Sequence, residues 1–199
     1  MRIPTGRNLL ALSAGSALLY VFLAWLLVML FHETSLPDLL SDHRQNLTRQ
    51  LAMGTLAGIL AAGFIGLACF RTSLVEVLDD YAIIRALSQQ RLRRFERLHL
   101  SLFAGFGEEI LFRLALQPLL GIWMVSLLFV VLHGYVKFRS WRHLLFGGCM
   151  FALSAGLGLL FEHVGLVAAM AAHAVYDYLM LAVAERYRDD LSSSGSINP

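Results

Sequence analysis

Charge is what this chain most lacks. Of its 199 residues, 15% are charged and 58% are hydrophobic, where an ordinary soluble domain carries roughly 25% charged residues. With a mean hydropathy of +0.66, the sequence holds too little polar surface to cover a fold of this size in water. The same shortage excludes a disordered chain and a coiled coil. Cysteine is scarcer still. Cys69 and Cys149 both lie inside apolar runs, which leaves no disulfide framework and no cysteine-based zinc site. The net charge of +2 says little as a total, its placement matters far more, and no nucleic-acid partner is expected. What is abundant is long hydrophobic runs, and they make this an integral membrane protein.

A helix needs about 20 apolar residues to cross a hydrocarbon core roughly 30 Å thick. Leu9 to Phe31 and Leu51 to Phe70 satisfy this without a charge. A third run, Ser101 to Gln117, is interrupted by Glu108, Glu109 and Arg113 and ends at Pro118 and Gly121. A fourth covers about Ile122 to Val136 and contains His133, a fifth is Leu144 to Phe161, and a sixth, Val164 to Ala184, contains His173 and Asp177. The expected fold is all-α: a polytopic helix bundle of about six transmembrane helices plus a cytoplasmic interfacial helix. The expected organisation is an N-terminal two-span region with a basic connection (1–99), a four-helix catalytic core (100–184) and a disordered cytoplasmic tail (185–199), together one membrane domain.

Lys and Arg are biased to one side of these spans. With the N-terminus in the cytoplasm, 13 of the 16 basic residues fall inside, only Arg44 and Arg49 fall outside, and Arg113 lies within a span. By the positive-inside rule both termini are cytoplasmic. The first run exceeds the 7–15 residues of a signal h-region and is read as a span. Between the second and third spans, Ser73-Leu74-Val75-Glu76 has the form of a capping box. After it Leu74, Leu78, Tyr81 and Ile84 recur at helical spacing among Arg85, Arg91, Arg93, Arg94 and Arg97. That pattern is expected to form a basic amphipathic helix on anionic lipid headgroups over 71–99. Stripes of small residues, Gly54/Gly58/Ala62/Gly66 and Gly148/Ala152/Gly156, are expected to pack helices within the bundle.

Ionisable groups inside a membrane are costly and default to function. Here they concentrate in three segments: Glu108-Glu109-x-x-x-Arg113, Phe129-x-x-x-His133 and His173-x-x-x-Asp177. At about 100° per helical residue, Glu109 and Arg113 lie about 40° apart and can pair, while Glu108 points to a different neighbour. His173 and Asp177 can project into one cavity, and Phe129, one turn from His133, can wall it off from lipid. Structural polar networks in membranes use Asn, Gln, Ser or Thr rather than adjacent glutamates.

Three such motifs in this order, each on its own hydrophobic helix, resemble the CPBP family, which includes the type II CAAX prenyl endopeptidases and bacterial relatives linked to bacteriocin processing or immunity. The resemblance covers roughly Leu100 to Leu181. It implies an intramembrane endopeptidase of glutamic type acting on a membrane-associated protein or peptide. Glu108 would be the general base and His133 the partner holding the attacking water; His173 and Asp177 would orient or stabilise the oxyanion, and Glu109, Arg113 and Phe129 would support them. Asp177 departs from the Asn of the CAAX endopeptidases, and an ionised Asp repels an oxyanion, so Asp177 is expected to orient His173. No cofactor is expected; a zinc ion, held by Glu108, His133 and His173, is the alternative. The expected location is a bacterial or archaeal plasma membrane. The competing functions are a non-catalytic immunity or scaffold protein and a small proton-coupled transporter.

Overall fold

Lipid offers no partner to a bare peptide group, so an apolar chain in a membrane satisfies its backbone within helices. The computed structural model describes residues 6–41, 46–88, 90 and 92–194, and all its regular elements are helical. In chain order these are α1 (Gly6–Phe31), α2 (Leu36–Ser41), α3 (Leu47–Arg71), α4 (Val75–Leu78), α5 (Ala82–Ser88), α6 (Arg94–Glu109), a π-helical segment (Ile110–Leu116), α7 (Gln117–Leu132), α8 (Trp141–His163) and α9 (Leu166–Ser194). Residues 195–199 of the expected tail, His43, and Arg2, Arg44 and Arg91 lie outside the described residues. The tail was expected to be disordered from residue 185, but its first ten residues continue α9 as helix.

Five helical stretches among the described residues are long and apolar enough to cross a membrane: Leu9–Phe31, Leu47–Cys69, Arg94–Leu132, Trp141–His163 and Leu166–Glu185. The six expected spans become five because the third and fourth are arms of one 39-residue stretch. That stretch is not straight. Glu108 and His133 would lie about 37 Å apart along a continuous helix, yet their side chains stand 3.4 Å apart. The chain reverses at Gly121, whose φ of 77° and ψ of 164° are non-helical. A left-handed φ of this kind is open to glycine and strained for other residues. The returning arm, Ile122–Leu132, is only about 16 Å long at 1.5 Å per residue. It reaches halfway across a hydrocarbon core, and His133 sits at its end.

The bundle is apolar on its outer face and encloses a few polar groups within a hydrophobic core. Leu18, Phe22, Phe64, Trp123 and Leu132 on its outer face are all more than half exposed. Glu109, Arg113, Ser126 and Ser154 are almost wholly enclosed. Packing is closest where glycines remove side chains. A Cβ on Gly54 or Gly58 would run into the carbonyls of Ala168 or Ala172, so α3 lies directly on α9. Gly105 gives α9, and Gly107 gives α1, the same close approach to α6. The stripe on α8 behaves otherwise: a Cβ on Gly148 or Gly156 meets nothing within 4 Å. These residues line an open apolar groove of about 820 Å³ between α3 and α8.

The connection between the second and third spans departs most from expectation. It is two short helices, α4 and α5, with a turn at Asp79–Asp80 between them. The Ser73–Glu76 capping box does not form. Ser73 has a φ of 55°, and the N-cap of α4 is Leu74. Leu74, Val77 and Tyr81 are buried in the protein core rather than laid on a lipid surface. The polar side of this segment is tied to the loop before α8 and to the first turn of α8. The Lys137 ammonium donates to the Asp80 carbonyl at 2.8 Å, Arg142 meets Glu76 at 2.6 Å, and His143 meets the Asp80 carboxylate at 2.9 Å.

Candidate active site

The site grows from Glu108-Glu109, the last two residues of α6 before the π-helical segment. A π segment inside a helix is rare and clusters at functional sites. Here it sets adjacent glutamates to different tasks. Glu109 is fully buried and accepts from Arg113 Nε at 3.0 Å; Arg113, equally buried, donates through Nη2 to Ser154 Oγ of α8 at 2.8 Å. The other Glu109 oxygen accepts from His173 Nδ1 of α9 at 2.7 Å. Three helices are thereby held by one buried carboxylate.

Glu108 points the other way, into a cavity of about 290 Å³ that is also lined by Tyr20, Phe129, His133, Tyr135, His173 and Asp177. Its Oε2 lies 3.4 Å from His133 Nε2 and 3.9 Å from His173 Nε2. All seven residues singled out in the sequence therefore meet in one place. Four face the cavity with functional groups, Glu109 and Arg113 lie beneath them, and Phe129 is a wall. The Phe129 ring stacks on His133, with centroids 4.0 Å apart, and its carbonyl accepts from His133 Nδ1 at 2.8 Å.

These second contacts set the chemistry at Nε2. A neutral imidazole that donates through Nδ1 presents a lone pair at Nε2. With Nδ1 engaged on both histidines, both Nε2 atoms turn towards Glu108. Asp177 sits on the same side, its Oδ2 3.5 Å from His173 Nε2. The carboxylate on the orienting nitrogen of His173 is Glu109, not Asp177 as expected. The reason is register: Glu109 reaches His173 across the α6–α9 contact that Gly105 keeps close. Among the described residues, no set of three His, Cys, Asp or Glu side chains is arranged to hold a metal ion.

The fold also recruits residues with weaker signals. Ser154 has no marker in its apolar surroundings. Tyr135 follows a legible one, the glycine after a helical histidine. Gly134, with φ 69°, donates to the Val131 carbonyl at 3.0 Å, and Tyr135 N donates to the Val130 carbonyl at 2.9 Å. That is a Schellman C-cap, and it fixes His133 and Tyr135 at the cavity edge. His32 is half-buried and bonds the Ala115 carbonyl of the π segment at 2.9 Å. His143 is buried between Ser140 and Asp80.

Comparison with known proteins agrees with this geometry. Residues 89–179, which hold all three motifs, match the model of a family described as type II CAAX prenyl endopeptidase, Rce1-like. Over this segment the chain is similar to that family. A stretch of 81 residues is 40% identical to the Bacillus subtilis (strain 168) protein YpbD, described as uncharacterized. The stretch makes up 40% of this chain and 41% of that one, so the chain spans less than half the length of the curated relative. No solved structure matches the chain. The matched segment contains α6, the π segment, α7, α8 and the first half of α9, while α1 and α3 lie before it and close the cavity and the core.

Proposed function

We propose that the protein is an intramembrane endopeptidase in which Glu108 and His133 activate water against a peptide carbonyl. The observation that carries this reading is the Glu108 carboxylate flanked by two imidazole Nε2 atoms in an apolar-walled cavity, over a fully buried Glu109–Arg113 pair. A water at the apex of Glu108 and His133 donates its protons to both and is aligned for attack. Its oxygen forms the new bond to the carbonyl carbon, and its proton passes to Glu108. When the C–N bond breaks, Glu108 returns that proton to the amine. His173, held by Glu109, positions the charge of the intermediate, and Asp177 faces it across Nε2.

The substrate class is a membrane-anchored peptide, with a prenylated Cys-a-a-X end as the form the family's description points to. The reaction runs without a metal ion. In this reading both termini are cytoplasmic, the membrane is a bacterial or archaeal plasma membrane, and the arginines of 71–99 add attraction to anionic lipid.

The test is cleavage of a quenched fluorescent peptide with a farnesylated Cys-a-a-X end by the purified protein in liposomes. Wild type, Glu108→Gln and His133→Ala are run with and without chelator. Cleavage that survives chelation and is abolished in both variants, each still folded, is the expected result. Full activity in both variants refutes the peptidase reading, and loss on chelation that zinc restores refutes the metal-free mechanism.

A further inference from the structure

The cavity is rich in acceptors and poor in donors. Glu108 and Asp177 contribute carboxylate oxygens, and His133 Nδ1 is committed to the Phe129 carbonyl. His173 Nδ1 is committed to Glu109, and its Nε2 stands between Glu108 and Asp177 at 3.9 and 3.5 Å. The one guanidinium at the site, Arg113, is fully buried beneath the cavity and engaged with Glu109 and Ser154. Attack on a peptide carbonyl puts negative charge on its oxygen, which needs a preorganised donor. The Glu108 and Asp177 carboxylates would oppose that charge, and His173 Nε2, set between them, is an imidazole donor facing it, so the site calls for a second donor.

The hydroxyls lining the cavity narrow the search. Ser13 and Ser16 donate to backbone carbonyls, Tyr176 donates to Met150 Sδ, and Ser154, whose oxygen accepts from Arg113, is 1% exposed and held back beneath the cavity beside that guanidinium. Ser101 Oγ is enclosed. Tyr20 and Tyr135 remain, two cavity-lining phenols for which no hydrogen bond is found among the described residues. Tyr135 is the better placed. Its ring lies parallel to His133, 15° between planes and 5.8 Å between centroids. It is pinned by the Schellman turn at Gly134, by Tyr81 and Phe146 against its ring, and by Gly147, where a Cβ would come within 2.9 Å of the Tyr135 carbonyl.

We propose that Tyr135 is a catalytic residue that donates its phenolic hydrogen bond to the carbonyl oxygen of the scissile peptide as that oxygen becomes an oxyanion. This rests on the peptidase reading above and adds to it the group that supplies what Asp177 cannot. Burial, reinforced by the charges of Asp177 and Glu108, raises the Tyr135 pKa, so the phenol keeps its proton throughout the neutral range.

The test is steady-state kinetics on the farnesylated Cys-a-a-X probe in liposomes, with wild type, Tyr135→Phe, Tyr20→Phe and Glu108→Gln in parallel. Tyr135→Phe keeps the ring, so stacking and turn survive, and thermal unfolding checks the fold. The expected result is a loss of about 10²–10³ in kcat with KM unchanged, larger than any loss in Tyr20→Phe. Unchanged kcat in Tyr135→Phe, an effect confined to KM, or a larger loss in Tyr20→Phe overturns the proposal. Failure of the peptidase reading has a different signature: no cleavage by wild type, or full cleavage by Glu108→Gln, and either removes the ground for the proposal.

Discussion

Glu109→Gln perturbs the network with the least change of shape. The amide retains volume and one acceptor, but the Arg113 guanidinium, 0% exposed, loses its counter-charge. Removing one partner of a buried ion pair costs about 3–5 kcal/mol, because the remaining charge stays buried and unpaired. That corresponds to a factor of about 150 to 5,000 in the unfolding equilibrium. At about 2–4 °C per kcal/mol for a chain of this size, Tm falls by about 6–20 °C. Neutralising both partners, as Glu109→Gln with Arg113→Met, removes the uncompensated charge, so the double variant is more stable than Glu109→Gln alone. His173 also loses a charged acceptor on Nδ1, and loss of such an orienting partner costs about 10–100-fold in activity at comparable sites. The assay is thermal unfolding in detergent, followed by tryptophan fluorescence, for wild type, both single variants and the double, assembled as a double-mutant cycle. The reasoning is refuted if Glu109→Gln unfolds within about 1 kcal/mol of wild type, below the expected range, or if the double variant is destabilised by the sum of the singles.

Three further outcomes follow from the packing and the turns. Gly58→Leu forces a side chain into the Ala172 backbone and destabilises the protein by about 1–3 kcal/mol or more, while Gly148→Leu, in open space, leaves Tm unchanged; equal effects of the two would contradict the α3–α9 packing. Gly134→Ala places a Cβ at φ 69°, costing about 1–2 kcal/mol, and lowers kcat by displacing His133 and Tyr135, as kinetics and unfolding of the same preparation would reveal. The hydrogen bond from His143, with Arg139 and Lys137 nearby, holds the Asp80 carboxyl below the usual carboxylate range. A depressed folded pKa means that its contribution is complete above the unfolded value near 4 and fades as pH falls through the lower folded value. Hydrogen exchange across 72–88, corrected for intrinsic rates, should therefore quicken in wild type below about pH 4, and Asp80→Asn should lose that pH-dependent component. An identical acid profile in the two proteins would dissolve the latch.

Much of this protein is decided by local chemistry. Apolar runs at membrane length determine helices, because lipid leaves the backbone no other partner. The 40° between Glu109 and Arg113 determines their pairing, since helix geometry alone brings i and i+4 together. The glycine after His133 determines a C-cap, and with it the place of Tyr135. The concentration of ionisable groups in three spans singles out Glu108, Glu109, Arg113, His133, His173 and Asp177, which the fold brings into contact with one another. Other features were decided only when helices met. Asp177 and Glu109 are equally eligible to orient His173 by residue type, and the α6–α9 approach allowed by Gly105 selected Glu109. The segment 71–99 has the periodicity of a lipid-facing helix, yet Leu74 and Tyr81 went into the core because the loop before α8 and the first turn of α8 supplied Lys137, Arg142 and His143 to its polar side. The two small-residue stripes look alike in sequence, but α9 covers the one on α3 and leaves the one on α8 open. Spacing along a helix specifies which side chains share a face; which neighbour that face meets depends on the other helices, and no local pattern records it.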